Sequence, residues 1–113
     1  MKYSEIINEV KELYPNEYED TQLIKWLSEA EDSIYIFLDE EPQDIRDLNI
    51  ESKAPKPYDR MYIDFICAHI SLHQHDDEAY ARYIGMYNAR FEDFCKWYLR
   101  THEGKEYRYK NWI

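Results

Sequence analysis

Apolar side chains recur every three or four positions along several stretches of this chain, a spacing that places them on one face of an α-helix. The first stretch lies between Ser4, a suitable N-terminal cap, and Pro15, which ends a helix. The second begins where Asp20 or Thr21 can cap it and has an apolar stripe formed by Leu23, Ile24, Leu27, Ala30, Ile34, Phe37 and Leu38. Its opposite side, predicted to face solvent, carries Lys25, Glu29, Glu31 and Asp32.

Two further helices are predicted after residue 57. Residues 58–74 are apolar on nearly every side, which is typical of a central helix contacted by several neighbours. The longest helix begins where Asp76 or Asp77 can cap it and continues to about Thr101. Gly85 interrupts this helix, and we interpret it as a point of close approach by a neighbouring helix. The spacing of a seam packed between helices is shown by Tyr80, Ile84, Tyr87, Phe91, Phe94 and Tyr98.

The segment between the second and third helices, residues 39–57, contains three prolines and is predicted to be the major loop, with a short helical turn at residues 44–48. The whole chain has only two glycines and almost no alternating β-branched residues. These features predict an all-α bundle of about four helices in residues 1–102, followed by an extended C-terminal tail, residues 103–113.

Charge is distributed unevenly along the chain, whose formal net charge is −10. Residues 1–50 hold 4 basic and 14 acidic side chains, whereas residues 51–113 hold 10 of each. An acidic body repels phosphate, which disfavours ordinary DNA binding. Ends of opposite charge favour head-to-tail contact between copies or docking onto other proteins. The chain also has 12 tyrosines, a residue common at protein interfaces.

Candidate chemistry is sparse. His69 and His73 lie four residues apart, and with His75, Asp76 or Asp77 they suggest a metal site, although ordinary histidines near a helix end explain them better. Cys67 and Cys95 lack CxxC spacing and are interpreted as reduced core thiols. No glycine loop suits a phosphate, and no apolar stretch is long enough to span a membrane. We therefore expect no catalytic residue, no metal and no cofactor.

The tail, by contrast, is predicted to dock. Its sequence EYRYKNWI fits a strand added to a partner's sheet, although its aromatics could instead fold back over the bundle. The predicted docking residues are Arg100, Tyr107, Arg108, Tyr109, Lys110, Trp112 and Ile113. A contact between copies is predicted at Lys53 and Lys56, in the loop, and at Trp97 and Tyr98, near the end of the last helix.

Residues 57–102, PYDRMYIDFICAHISLHQHDDEAYARYIGMYNARFEDFCKWYLRTH, combine a YDR opening, a polar corner and an aromatic run ending in W-Y-x-R-T-H. Together with the acidic cap and L-I-x-x-L-x-x-A-x-x-x-I pattern of the second helix, they resemble small head-tail connector (adaptor, head-completion) proteins of tailed bacteriophages and prophages. The resemblance covers residues 20–102. The tail matches no pattern of that family.

This resemblance implies that residues 1–102 form a helical connector domain and that residues 103–113 form its docking tail. Such subunits form a homo-oligomeric, dodecameric ring in the virion neck, assembled in the host bacterial cytoplasm. The implied partners are the portal protein, the next neck or tail-completion protein and other copies of the chain. Packaged DNA would pass through the ring without specific binding. Trp97, Tyr98 and Arg100 fall at the family-like end of the last helix, from which the tail would reach the portal or an adjacent subunit.

A second hypothesis comes from charge alone. A small acidic protein can imitate DNA and inhibit a host nucleic-acid-binding protein, through the spacing of its carboxylates. A mimic is expected to be a monomer or dimer that binds a basic protein more weakly as salt increases.

Overall fold

The computed structural model describes residues 1–102, which form four helices and no strand. The helices are α1 (Tyr3–Leu13), α2 (Asp20–Phe37), α3 (Arg60–His73) and α4 (Asp77–Thr101). The all-α prediction is therefore confirmed for this part of the chain. The tail residues predicted to dock lie outside the described residues: Tyr107, Arg108, Tyr109, Lys110, Trp112 and Ile113.

The central helix is α3, because it packs along α4 and also contacts α1 and α2. Its buried residues lie on nearly all sides: Met61, Tyr62, Ile63, Asp64, Ile66, Cys67, Ala68, Ile70 and Ser71. The other three helices bury Ile6, Leu27 and Phe94 in the same core. The central position predicted from the all-round apolar character of α3 is thus confirmed.

The longest helix, α4, has the extent that its sequence predicts. Asp76 caps it, since the Asp76 carboxylate accepts a hydrogen bond of 3.1 Å from the Ala79 N–H. In its aromatic seam, Tyr87 and Phe94 are buried. The interpretation of Gly85 is wrong, because a Cβ atom placed there meets no packed neighbour within 4 Å among the described residues. Gly85 is instead an exposed glycine in the middle of a helix.

Three local predictions in the first half of the chain are also wrong. Glu31 lies on the buried face of α2 with 1% exposure, rather than on the solvent face. The N-cap of α1 is Lys2, not Ser4, and the Lys2 N–H donates a hydrogen bond of 2.8 Å to the Glu5 carboxylate. The loop forms no helical turn at residues 44–48.

Candidate functional site

Aromatic rings gather where the C-terminal half of α4 meets the end of α2 and the start of α3. The Trp97 ring lies 5.3 Å from the Tyr58 ring, and the Tyr98 ring lies 5.9 Å from the Phe37 ring. Trp97 and Tyr98 are both half-buried, so part of each ring remains open to solvent. We call this group the aromatic end, which consists of Phe37, Tyr58, Phe94, Trp97, Tyr98 and His102.

A cleft of about 240 Å³ opens beside the aromatic end. Its lining comes from the end of α2, the long loop and α4: Leu38, Glu40, Lys53, Pro55, Phe94, Trp97, Tyr98 and His102. The fold therefore brings together Lys53, Trp97 and Tyr98, three of the residues predicted to form a subunit interface. Lys56 is exposed in the loop and does not line the cleft, and Arg100 is exposed on the last turn of α4.

The end of α4 is held by side chains of its own last turn. The Thr101 hydroxyl donates a hydrogen bond of 3.0 Å to the Trp97 carbonyl, and the His102 ring stacks on the Tyr98 ring at 3.8 Å. His102 itself has an extended backbone, with φ −129° and ψ 96°. The last described residue of the chain therefore lies at the rim of the cleft.

On the opposite wall of the cleft, Lys53 is engaged within its own chain. Its ammonium lies 3.0 Å from the Glu40 carboxylate and 5.4 Å from the centre of the Tyr35 ring. The hydrogen bond to Glu40 raises the pKa of Lys53, so this side chain stays charged. Glu40 and Lys53 thus form a partly exposed ion pair at the rim, and the role of Lys53 in an interface stays a prediction.

The buried carboxylate of Glu31 fixes the position of this wall. Its Oε2 accepts hydrogen bonds from the Tyr3 hydroxyl at 2.6 Å and from the Lys53 N–H at 3.0 Å. Its Oε1 accepts one of 2.6 Å from the Tyr62 hydroxyl, which in turn accepts one of 2.9 Å from the Ala54 N–H. We call these five residues the Glu31 hub. It joins α1, α2, α3 and the loop that carries the cleft wall.

Electrostatics keep the two tyrosines of the hub in their neutral, hydrogen-donating form. Burial, together with the neighbouring Glu31 carboxylate, raises the pKa of both Tyr3 and Tyr62. The hub was missed because a glutamate in an acidic helix suggests solvent exposure. The helical spacing did contain the signal, since Leu27, Glu31 and Ile34 are separated by four and three residues.

The histidines considered as metal ligands pack on aromatic rings instead. The His69 ring is stacked on Trp26 at 5.5 Å, and the His73 ring lies 5.3 Å from Trp26. Burial lowers the pKa of His69, although Glu29 lies 4.0 Å from its Nε2. Within residues 1–102, no group of three or more His, Cys, Asp or Glu side chains is arranged to hold a metal ion.

Both cysteines are free thiols in the core, as predicted. Burial raises the pKa of Cys67 and of Cys95 to about 12, which disfavours the reactive thiolate. In the described part of the chain, no helix is both long and apolar enough to cross a membrane.

Comparison with protein-family models, curated proteins and solved structures finds no match for this chain.

Proposed function

We propose that this chain is a structural head-tail connector of a tailed phage or prophage. Its copies form a ring under the portal that extends the DNA channel and joins the capsid to the neck or tail. The observation that carries the proposal is the cleft. Three residues predicted for subunit contact, Lys53, Trp97 and Tyr98, come from distant parts of the chain and line one surface beside the start of the tail.

The resemblance of residues 20–102 to connector proteins supports the same function, because those residues comprise α2, the loop, α3 and α4. Its aromatic run supplies the Trp97 and Tyr98 side of the cleft. A half-exposed tryptophan and tyrosine are typical anchors of protein interfaces, where an apolar ring is covered and the polar tip stays hydrated. The chemistry of such a surface is contact rather than turnover.

The state of the buried polar groups favours a structural role over an enzymatic one. Among residues 1–102, every buried side-chain nitrogen or oxygen has a hydrogen-bond partner. Glu31 holds the hub, and Asp64 pairs with Arg90 between α3 and α4. A catalytic constellation needs polar groups that converge on a substrate position, whereas these groups point at one another.

Charge is consistent with a DNA channel that does not grip its cargo. The chain has a formal net charge of −10, and 14 of its 24 acidic side chains lie in residues 1–50. Carboxylates repel the phosphate backbone and release no counterions from it. In the proposed ring, DNA therefore passes without specific binding, and the contacts that matter are with other copies, the portal and the next neck or tail-completion protein.

Mass spectrometry of purified particles from the source tests this function. We expect this chain in the particles in multiple copies, in fixed ratio to the portal protein, and ring-shaped assemblies in electron micrographs of the chain with its portal. Particles with a complete neck that lack the chain would overturn the proposal.

The DNA-mimic hypothesis is favoured by one observation, the electrostatic interaction of Asp32 with Asp44 and Glu29. Burial, followed by the charges of Asp44 and Glu29, raises the pKa of Asp32. Copurification tests the two functions against each other. A mimic is recovered with a basic nucleic-acid-binding host protein, and the complex dissociates steeply with salt. Recovery with the portal supports the connector.

A further inference from the structure

The cleft has the composition of a peptide-binding surface. Its lining includes the apolar side chains of Leu38, Pro55 and Phe94 beside the half-buried rings of Trp97 and Tyr98. Polar groups share this lining, and among them Glu40 and Lys53 form their ion pair. A surface of this kind binds an aromatic segment flanked by charged residues.

We propose that this cleft receives residues 107–113 from a second copy of the chain. The inference rests on the connector function proposed above and names the receptor of the docking tail. Each subunit then offers one cleft and contributes one tail, so the contact is head-to-tail. Such a contact repeats from copy to copy and closes into a ring when the rotation between subunits permits.

The chemistry of the tail complements the cleft. Tyr107, Tyr109 and Trp112 supply rings that can pack against Trp97 and Tyr98, and Ile113 adds an apolar end. Arg108 lies between the two tyrosines, and Lys110 follows them. The positive charges of Arg108 and Lys110 complement the acidic segment 39–47 next to the cleft. The pairing thus joins the basic end of one subunit to the acidic half of another.

The length of the tail is sufficient for it to reach the cleft of a second copy. Eleven residues follow His102, and an extended chain of that length spans up to about 36–40 Å. This reach is comparable to the longest dimension of the described body, 43 Å. His102, after which the tail begins, lies at the cleft rim.

A charge exchange between full-length variants tests the inference. The cleft variant carries E40K and E41K, and the tail variant carries R108E and K110E. We expect each variant alone to self-associate about tenfold more weakly than the wild type in analytical ultracentrifugation. An equimolar mixture regains association, because the acidic tail of one variant meets the basic cleft of the other. Restoration by mixing requires contact between two chains.

The matched control is E12K with E17K, which makes the same charge change at two exposed positions that do not line the cleft; Glu17 lies near Gln74, at the opposite end of α3. This control is expected to associate like the wild type. Circular dichroism of every variant verifies that the helices are retained. The chain carrying all four exchanges, E40K, E41K, R108E and K110E, is expected to associate by itself.

Three outcomes overturn the inference. The first is a wild-type chain that stays monomeric at high concentration. The second is a mixture of the two variants that fails to associate, together with a fourfold variant that is monomeric and more thermally stable than either of them. That result would assign the cleft to the chain's own tail. The third is an equal loss in the control. A monomeric chain that is nevertheless present in multiple copies per particle rejects this receptor and leaves the connector function standing.

Discussion

The Tyr62 hydroxyl lies 2.6 Å from Glu31 Oε1, and both side chains are closed to solvent. The same hydroxyl accepts the Ala54 N–H, so a single oxygen connects α2, α3 and the loop. A carboxylate buried this deeply is stable only when donors surround it, and here Tyr3, Tyr62 and the Lys53 N–H supply them. The Glu31 hub therefore stabilises the fold and also positions the cleft wall.

Tyr62→Phe is expected to lower the free energy of unfolding by about 1–3 kcal/mol. The substitution keeps the ring but removes a donor from Glu31 and leaves the Ala54 N–H without its acceptor. Urea unfolding followed by circular dichroism measures the change. Tyr80→Phe, which removes a hydroxyl from a half-exposed position in α4, is the control and is expected to change stability by less than about 0.5 kcal/mol. Equal effects of the two substitutions would contradict the assigned role of the hub.

Stability is expected to fall as pH rises above about 10, the ordinary tyrosine pKa. The folded protein keeps Tyr3 and Tyr62 protonated because their pKa values are raised, whereas the unfolded chain loses these protons near pH 10. The unfolded state is thus favoured progressively through the alkaline range. Thermal unfolding between pH 7 and 11 measures this slope. The slope of Tyr62→Phe is expected to be shallower, and an unchanged slope would contradict the assignment.

Gly85→Ala is expected to stabilise the protein by about 0.5–1 kcal/mol and to raise the unfolding midpoint by about 3–6 °C. Gly85 is exposed in the middle of α4, and an added Cβ has space. The methyl group restricts the unfolded chain without a clash in the folded one. Ala89→Gly, at another exposed position of α4, is the reciprocal control and is expected to destabilise by a similar amount. A lower midpoint for Gly85→Ala would reveal a contact that the fold does not show.

Arg90→Met is expected to destabilise the protein by about 1–3 kcal/mol at pH 7, because it leaves the carboxylate of Asp64 buried without its partner. The loss is expected to shrink as pH falls. Burial raises the pKa of Asp64, against the opposing effect of Arg90, so removal of Arg90 favours the neutral carboxyl further. Denaturant unfolding at pH 4 and pH 7 measures both effects. Arg82→Met, at an exposed position beside Tyr83, is the control and is expected to show neither effect.

Local sequence signals predicted α3 and α4 well because their determinants are local. Asp76 needs only Ala79, three residues away, to cap α4. The errors at Glu31 and Gly85 concern contacts that are distant in sequence or depend on packing, whereas the N-cap of α1 and the turn at residues 44–48 were local errors. Glu31 is satisfied by Tyr3 and Tyr62, 28 and 31 residues away, which no helical periodicity displays. The interpretation of Gly85 failed because a glycine in a helix gives no information about what packs beside it.

The candidate site was predicted in part. Lys53, Trp97 and Tyr98 were selected for charge and aromatic character, and the fold gathers them at one cleft. Their convergence could not be predicted, because the loop is positioned by bonds to residues outside it, among them Tyr3, Ser4, Glu31 and Tyr62. Nor could the engagement of Lys53 by Glu40, thirteen residues earlier, be inferred from the loop sequence.

Anchoring two consecutive loop amides, those of Lys53 and Ala54, has a thermodynamic consequence for any ligand of the cleft. The entropy of ordering this wall is lost when the subunit folds, before a partner arrives. Association then has to immobilise mainly the incoming segment. Each flexible side chain that is already ordered reduces the entropic cost of binding by about 0.5–1.5 kcal/mol. Breaking the bonds that these amides donate to Glu31 and Tyr62 is expected to weaken the proposed association without altering a cleft-lining side chain.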